Sequence, residues 1–180
     1  VKMDLRIRPW LRDDIPQIVH YWKALSAADA ERMGADVLRF PSREEYEQIL
    51  TRQFDTPEKQ TTAFYSMWLV DGSAVGFSSL KDIEYGIRGS MHLHMWDETK
   101  RGKGLGGTLF CLSAIDFYDR FQLREIVCEP SSDNPLPNRM LQKAGFLLTG
   151  TRFGRSSDLG AEQQLNTYAV TRQAAASYLN

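Results

Sequence analysis

Apolar and charged side chains alternate along Leu5-Arg6-Ile7-Arg8 and stop at Pro9, the pattern of a short strand with one exposed face. From Asp13 the period changes. Ile15, Ile18, Val19, Trp22 and Leu25 recur three and four apart behind two acidic residues, which predicts a helix with Asp13 and Asp14 at its amino end. Ser26 to Pro41 reads as a loop through Gly34. Ser42-Arg43-Glu44-Glu45 then has the form of a capping box, and Tyr46, Ile49, Leu50 and Phe54 supply the apolar stripe of a second helix. Thr62 to Val70, the turn Asp71-Gly72-Ser73 and Ala74 to Leu80 predict a hairpin. In Ser90 to Trp96, Met91, Leu93 and Met95 alternate with His92, His94 and Trp96, as in a strand. Leu105, Leu109, Leu112 and Ile115 mark a helix that starts in a glycine cluster and fades near Arg120. Glu125 to Glu129 is a short strand ended by Pro130, and Pro135 to Ala144 a helix closed by Gly145. Leu147 to Phe153 and Asn166 to Thr171 form two last strands around a polar loop through Gly160.

The predicted order is β-α-α-β-β-β-α-β-α-β-β, and nothing divides it, so residues 1–180 are expected to form a single domain. The late β-α-β unit, from Ser90 through the glycine helix to Glu129, requires one parallel strand pair within a mixed sheet.

Composition narrows the partners. Lys plus Arg number 22 against 23 Asp plus Glu, a formal charge of −1, so no strong field favours nucleic acid or an anionic membrane. Apolar runs such as Met67 to Val70 fall far short of the roughly 20 residues of a spanning helix. Val1-Lys2-Met3-Asp4 lacks an apolar leader, and a cytoplasmic location is expected. Cys111 and Cys128 have no second Cys or His at ligand spacing, so both are expected in the core, with no metal site and no catalytic role.

Candidate chemistry concentrates in Thr99 to Thr108, where the glycines expose backbone N–H groups at a helix amino end and Lys100, Arg101 and Lys103 add positive charge. Such a place suits a diphosphate. A Walker loop fails, because no Lys-Ser or Lys-Thr follows the glycines. A dinucleotide fingerprint is met literally by Gly102-Lys103-Gly104-Leu105-Gly106-Gly107, with Glu129 about twenty residues on. A third form, R-x-x-G-x-G/A, is met by Arg101-Gly102-Lys103-Gly104-Leu105-Gly106.

At that third form the chain resembles the GNAT superfamily of acyl-CoA-dependent N-acetyltransferases. Asn134 and Leu141-Gln142-Lys143-Ala144-Gly145-Phe146 extend the resemblance past the loop, and the element order from Leu5 to Thr171 is similar to the family fold. The implied class is α/β (α+β), a mixed and mostly antiparallel sheet of about seven strands flanked by about four helices. The resemblance implies that Arg101, Gly102, Lys103, Gly104, Leu105 and Gly106 wrap the pyrophosphate of coenzyme A, with Gly107 and Thr108 extending the helix terminus. It further implies that pantetheine lies in a cleft between the Ser90 and Glu125 strands, near backbone groups of Met95 and Trp96, and that Asn134 reaches it. Asp133-Asn134-Pro135 is equally a good turn.

Acetyl transfer from acetyl-CoA to a primary amine needs a neutral amine, support for the oxyanion and a proton for the thiolate. His92, His94 and Glu129 are the candidate bases. The two histidines point to one face and, with Trp96, are expected to line one wall. Their His-x-His resembles the paired histidines of arylalkylamine N-acetyltransferases, although the loop to Arg101 is shorter here. The alternative is an imidazole pair satisfied within a half-buried layer, and Glu129 is alternatively an ammonium acceptor or a plain strand-end charge. The Tyr and Ser that act as acids in many members correspond to Leu141 and Pro137, so no acid is nominated. His20 is expected to be surface or core filler. Ser26 to Pro41, with Trp10, Tyr21, Trp22 and Tyr46, is expected to form one lip of the acceptor cleft. The acceptor is expected to be a small molecule or a peptide, and a homodimer stays open. A non-catalytic acyl-CoA-binding module and a dinucleotide-binding enzyme are the competing readings.

Overall fold

The computed structural model describes residues 2–180, arranged around a seven-stranded sheet of order β1-β2-β3-β4-β5-β7-β6. β1 (Leu5–Pro9), β2 (Ala63–Val70), β3 (Ser73–Glu84) and β4 (Arg88–Met95) form an antiparallel half. β5 (Glu125–Cys128) joins β4 in parallel, and β7 (Gln163–Ala169) and β6 (Leu147–Gly154) complete the other half. Among the described residues six α-helices flank the sheet: α1 (Ile15–Lys23), α2 (Ala27–Met33), α3 (Arg43–Asp55), α4 (Leu105–Phe121), α5 (Pro135–Lys143) and α6 (Arg172–Leu179). The parallel pair is the one that the β-α-β order demanded.

Two of these helices fall where the sequence pattern predicted none. α2 lies in the expected loop, capped by Ser26 Oγ on the Asp29 N–H and ended by left-handed Gly34. It buries only Ala30, so no apolar stripe announces it. α6 is an alanine-rich segment, capped by Thr171, that packs on α4. The predicted capping box at Ser42 forms in both directions, at 3.2 and 2.9 Å.

Alternation gives each side of the sheet its own set. Phe64 and Trp68 of β2 face α4, where Trp68 Nε1 donates to Ser113 Oγ at 3.0 Å and Phe64 meets Phe117 edge-on. Tyr65, Phe77 and His94 point the other way, toward Trp10 and the α1 residues Tyr21 and Trp22. Both cysteines are free and buried, and burial pushes their thiols up to about 12. His20 is exposed. No helix among the described residues is long and apolar enough to cross a membrane.

The parallel pairing is short. Only Arg88–Glu125, Gly89–Ile126 and Ser90–Val127 are in register, so β4 and β5 part company beyond Ser90. Trp96 donates its N–H to Val75 on β3 at 3.0 Å. By strand alternation, the backbone groups of His94 and His92 therefore also face β3, and those of Met95 and Leu93 face the opening.

Candidate active site

The opening between the strands is continued by the glycine loop. Asp97 caps a short 3-10 turn at Glu98–Lys100, and the chain then passes through Gly102 (φ 70°) and Gly104 (φ 74°), left-handed conformations that favour glycine. Gly104 is the N-cap of α4, and no side chain caps the first turn. Four N–H groups of a 17-residue helix therefore lie at one end without side-chain acceptors. A Cβ built on Gly106 would meet nothing within 4 Å, whereas one on Gly107 would meet the Tyr178 hydroxyl of α6 at 2.6 Å. Adjacent glycines thus serve different purposes: one leaves space open before the helix terminus, and the other lets α6 approach.

Of the three positive charges that the sequence places at the loop, Arg101 is engaged by the protein. Its Nε donates to the Met95 carbonyl at 2.9 Å, and its guanidinium lies 3.5 Å from Glu98. It ties the loop back to β4, and Lys100 and Lys103 carry the outward charge. Trp96 departs from the expected wall. Its Nε1 donates to the Ala74 carbonyl, and the ring is not part of the cavity wall that holds the two histidines.

That wall belongs to a cavity of about 430 Å³ on the α1 and α3 side of the sheet. Trp22, Tyr46, Tyr65, Phe77, Lys81, His92, His94, Glu129 and Asn134 line it. The loops at 34–41 and 156–160 roof it and are stitched together: Asp36 donates to Leu159 and Ala161 to Gly34, each at 2.8 Å, and Arg39 Nε donates to the Asp158 carbonyl at 2.8 Å.

His92 and His94 share this wall because they are two apart on β4. His92 Nε2 is buried without a hydrogen-bond partner. Burial, helped by the charge of Lys81, lowers the His92 pKa to about 4. Burial and His92 hold His94 well below 6.5, so both rings are neutral at pH 7. The His94 ring is clamped by Trp22 at 4.7 Å and Phe77 at 5.0 Å. Its Nδ1 lies 3.1 Å from Tyr21 Oη, which also lies 3.6 Å from Met33 Sδ. Nitrogen is the stronger acceptor, so the phenol proton goes to Nδ1 and His94 carries its own proton on Nε2.

Glu129 reaches the same cavity with its carboxylate engaged. Arg152 grips it with two bonds of 2.7 and 2.8 Å, and Thr167 donates a third at 2.7 Å. The Arg152 bond, with help from Thr167, holds its carboxyl below the usual range. Asn134 stands at the head of α5, its Oδ1 buried and unpartnered. Asn138, one turn on, fixes that corner: its Nδ2 donates to the Ser131 and Asn134 carbonyls, and its Oδ1 accepts from Asn166 and Tyr168.

Tyr21, Lys81, Asn138 and Arg152 bear on the site but were not singled out for these roles by the sequence. Tyr21 stands 73 residues from His94, so sequence spacing carries no signal for that contact.

Residues 4–147 match the family model described as "Acetyltransferase (GNAT) domain". Among solved structures, the spermidine N-acetyltransferase of Vibrio cholerae in complex with CoA and spermine is similar over 98% of each chain, at 16% identity and a TM-score of 0.73. RimL, a ribosomal L7/L12 α-N-protein acetyltransferase solved with coenzyme A, is similar at 18% identity and a TM-score of 0.73, over 94% of this chain and 95% of its own. A comparison with curated protein sequences gave no match.

Proposed function

This chain belongs to the GNAT acetyltransferases, whose chemistry is acetyl transfer to an amine, and we propose that it acts as one domain using acetyl-CoA and a primary amine of a small molecule or peptide, by direct attack in a ternary complex. The observation that carries the reading is the uncapped amino end of α4, fronted by open space at Gly106 and adjoining the gap between β4 and β5.

The residues present fit coenzyme A. Backbone N–H groups from Gly102 to Thr108, with Lys103 beside them, suit its pyrophosphate; Arg101 supports the loop from behind. The gap-facing backbone of β4 near Met95 and the orphaned Oδ1 of Asn134 suit the amides of the pantetheine arm. When bound, acetyl-CoA supplies an activated acyl group.

The chain's own part is to hold the amine, orient it and move its proton. A primary amine has a pKa of about 10, so only its minor neutral form attacks. His92 Nε2 is the acceptor assigned to its N–H, which becomes far more acidic as the C–N bond forms, so that a weak base suffices. Tyr21 fixes His94, whose Nε2–H donates beside it. Glu129 is committed to Arg152 and is not assigned the proton. The Met95 N–H is the oxyanion donor.

The test is thermal unfolding with acetyl-CoA, coenzyme A and NAD. A ligand at a hundred times its dissociation constant adds about 2.7 kcal/mol, roughly 5–10 °C for a domain of this size. Acetyl-CoA and coenzyme A are expected to stabilise and NAD not. Gly106→Val, whose Cβ meets no protein atom within 4 Å, is expected to keep the ligand-free melting point within about 2 °C and to weaken coenzyme A at least about tenfold. Unchanged affinity in that variant defeats the assignment of the loop.

A further inference from the structure

The charges that line the acceptor cavity are unequal in their commitments. Glu129 is neutralised by Arg152, and Arg39, exposed at the rim, bonds the loop carbonyl of Asp158 and keeps its charge in water. Asp82 and Asp158 are exposed to water at the rim. Lys81 is half-buried in the wall and forms no ion pair with any described residue. Its ammonium donates to the Tyr65 hydroxyl and lies 4.6 Å from the centre of the Tyr65 ring. Asp82 and Asp158 act on it only from beyond ion-pairing distance.

Lys81 also sits at a useful place relative to the histidines. Ser79 pairs with His92 and Lys81 with Ser90, so the lysine is on the same sheet face one pair further along, about 7 Å by strand rise. A short aliphatic chain spans that separation. From the unpaired cation, its position and the neutralised Glu129, we infer that the acceptor amine carries a carboxylate, received by Lys81 while the amine lies at His92. The inference rests on the transferase reading above and names the acceptor class for the same site.

Three consequences of the geometry agree. A carboxylate supplies the counter-ion that burial makes costly for Lys81 to lack, and a charge-assisted bond in a half-buried site is about twice as strong as a neutral one. A fixed cation beside the amine disfavours its protonated form, which raises the fraction able to attack. A polyamine lacks the first of these: it brings no counter-ion, meets Lys81 as a like charge and finds the deep carboxylate already paired.

Isothermal titration of butyrate, butylamine and spermidine into the protein, with and without saturating coenzyme A, tests this. Butyrate is expected to bind one site and more tightly than butylamine or spermidine. Lys81→Met is expected to weaken butyrate at least tenfold and Lys81→Arg to restore most of that loss, with coenzyme A affinity unchanged in both. Absence of saturable butyrate binding, equal butyrate affinity in Lys81→Met, or tighter spermidine binding overturns the carboxylate assignment. Failure of coenzyme A to bind while butyrate still depends on Lys81 overturns the transferase reading alone.

Discussion

At the scale of single residues, the site is set by what burial does to His92 and His94. An imidazole lowered from 6.5 to about 4 stays neutral across the working range, so kcat/KM is expected to show no inflection near 6.5 from these rings. The same shift has a stability consequence of definite sign. Unfolding exposes an imidazole that takes up a proton below 6.5, whereas the folded one resists until about 4. Stability is therefore lost as pH falls through that window and levels off below it, by about 1–2 kcal/mol for His92 between pH 7 and pH 5 after allowing for its partial exposure. His92→Leu is expected to reduce the fall in melting temperature between those two pH values; an identical fall in both proteins contradicts the neutral-imidazole assignment. The histidine pair was legible in the sequence, because two residues on one strand share a face. The Tyr21 bond was not, because helix α1 reaches β4 only through packing.

At the scale of elements, capping and turn chemistry were legible and weakly patterned helices were not. Ser42 and Glu45 form their box because both partners lie within one turn. α2 and α6 escaped because alanine favours a helix without marking a face. α5 shows the other side of this difference. Asn134 and Pro135 mark its start, but the residue that holds the corner is Asn138, with four hydrogen bonds to groups from Ser131 to Tyr168. Asn138→Ala leaves several buried partners unsatisfied and is expected to cost about 3 kcal/mol, roughly 6–12 °C in melting temperature. Coenzyme A affinity is expected to fall with it, since Asn134 loses its support. Normal affinity in a destabilised Asn138→Ala protein separates the corner's folding role from ligand binding.

At the scale of the whole molecule, two half-sheets meet through three residue pairs; beyond them Arg101 ties the glycine loop to the end of β4, and His92, His94, Cys128 and Glu129 line the cavity. Amide exchange reads this directly. His92 and His94 N–H groups, turned toward β3, are expected to exchange slowly, and those of Leu93 and Met95, turned toward the gap, quickly until coenzyme A is added. Equal protection of all four without ligand contradicts the gap. The sequence by itself determined the succession of strands along the chain, the requirement for a parallel pair and the glycine loop before α4, because hydrophobic period, turn residues and helix termini are local properties of the chain. It also determined that His92 and His94 share a face. Only the tertiary structure decided that Arg101 turns inward to Met95, that Trp96 leaves the wall, that Arg152 neutralises Glu129 and that Lys81 forms no ion pair with any described residue. Gly106 and Gly107 show the reason. They are indistinguishable in sequence, yet one faces open space and the other Tyr178, because a side chain's partners depend on which distant segments the packing brings to it.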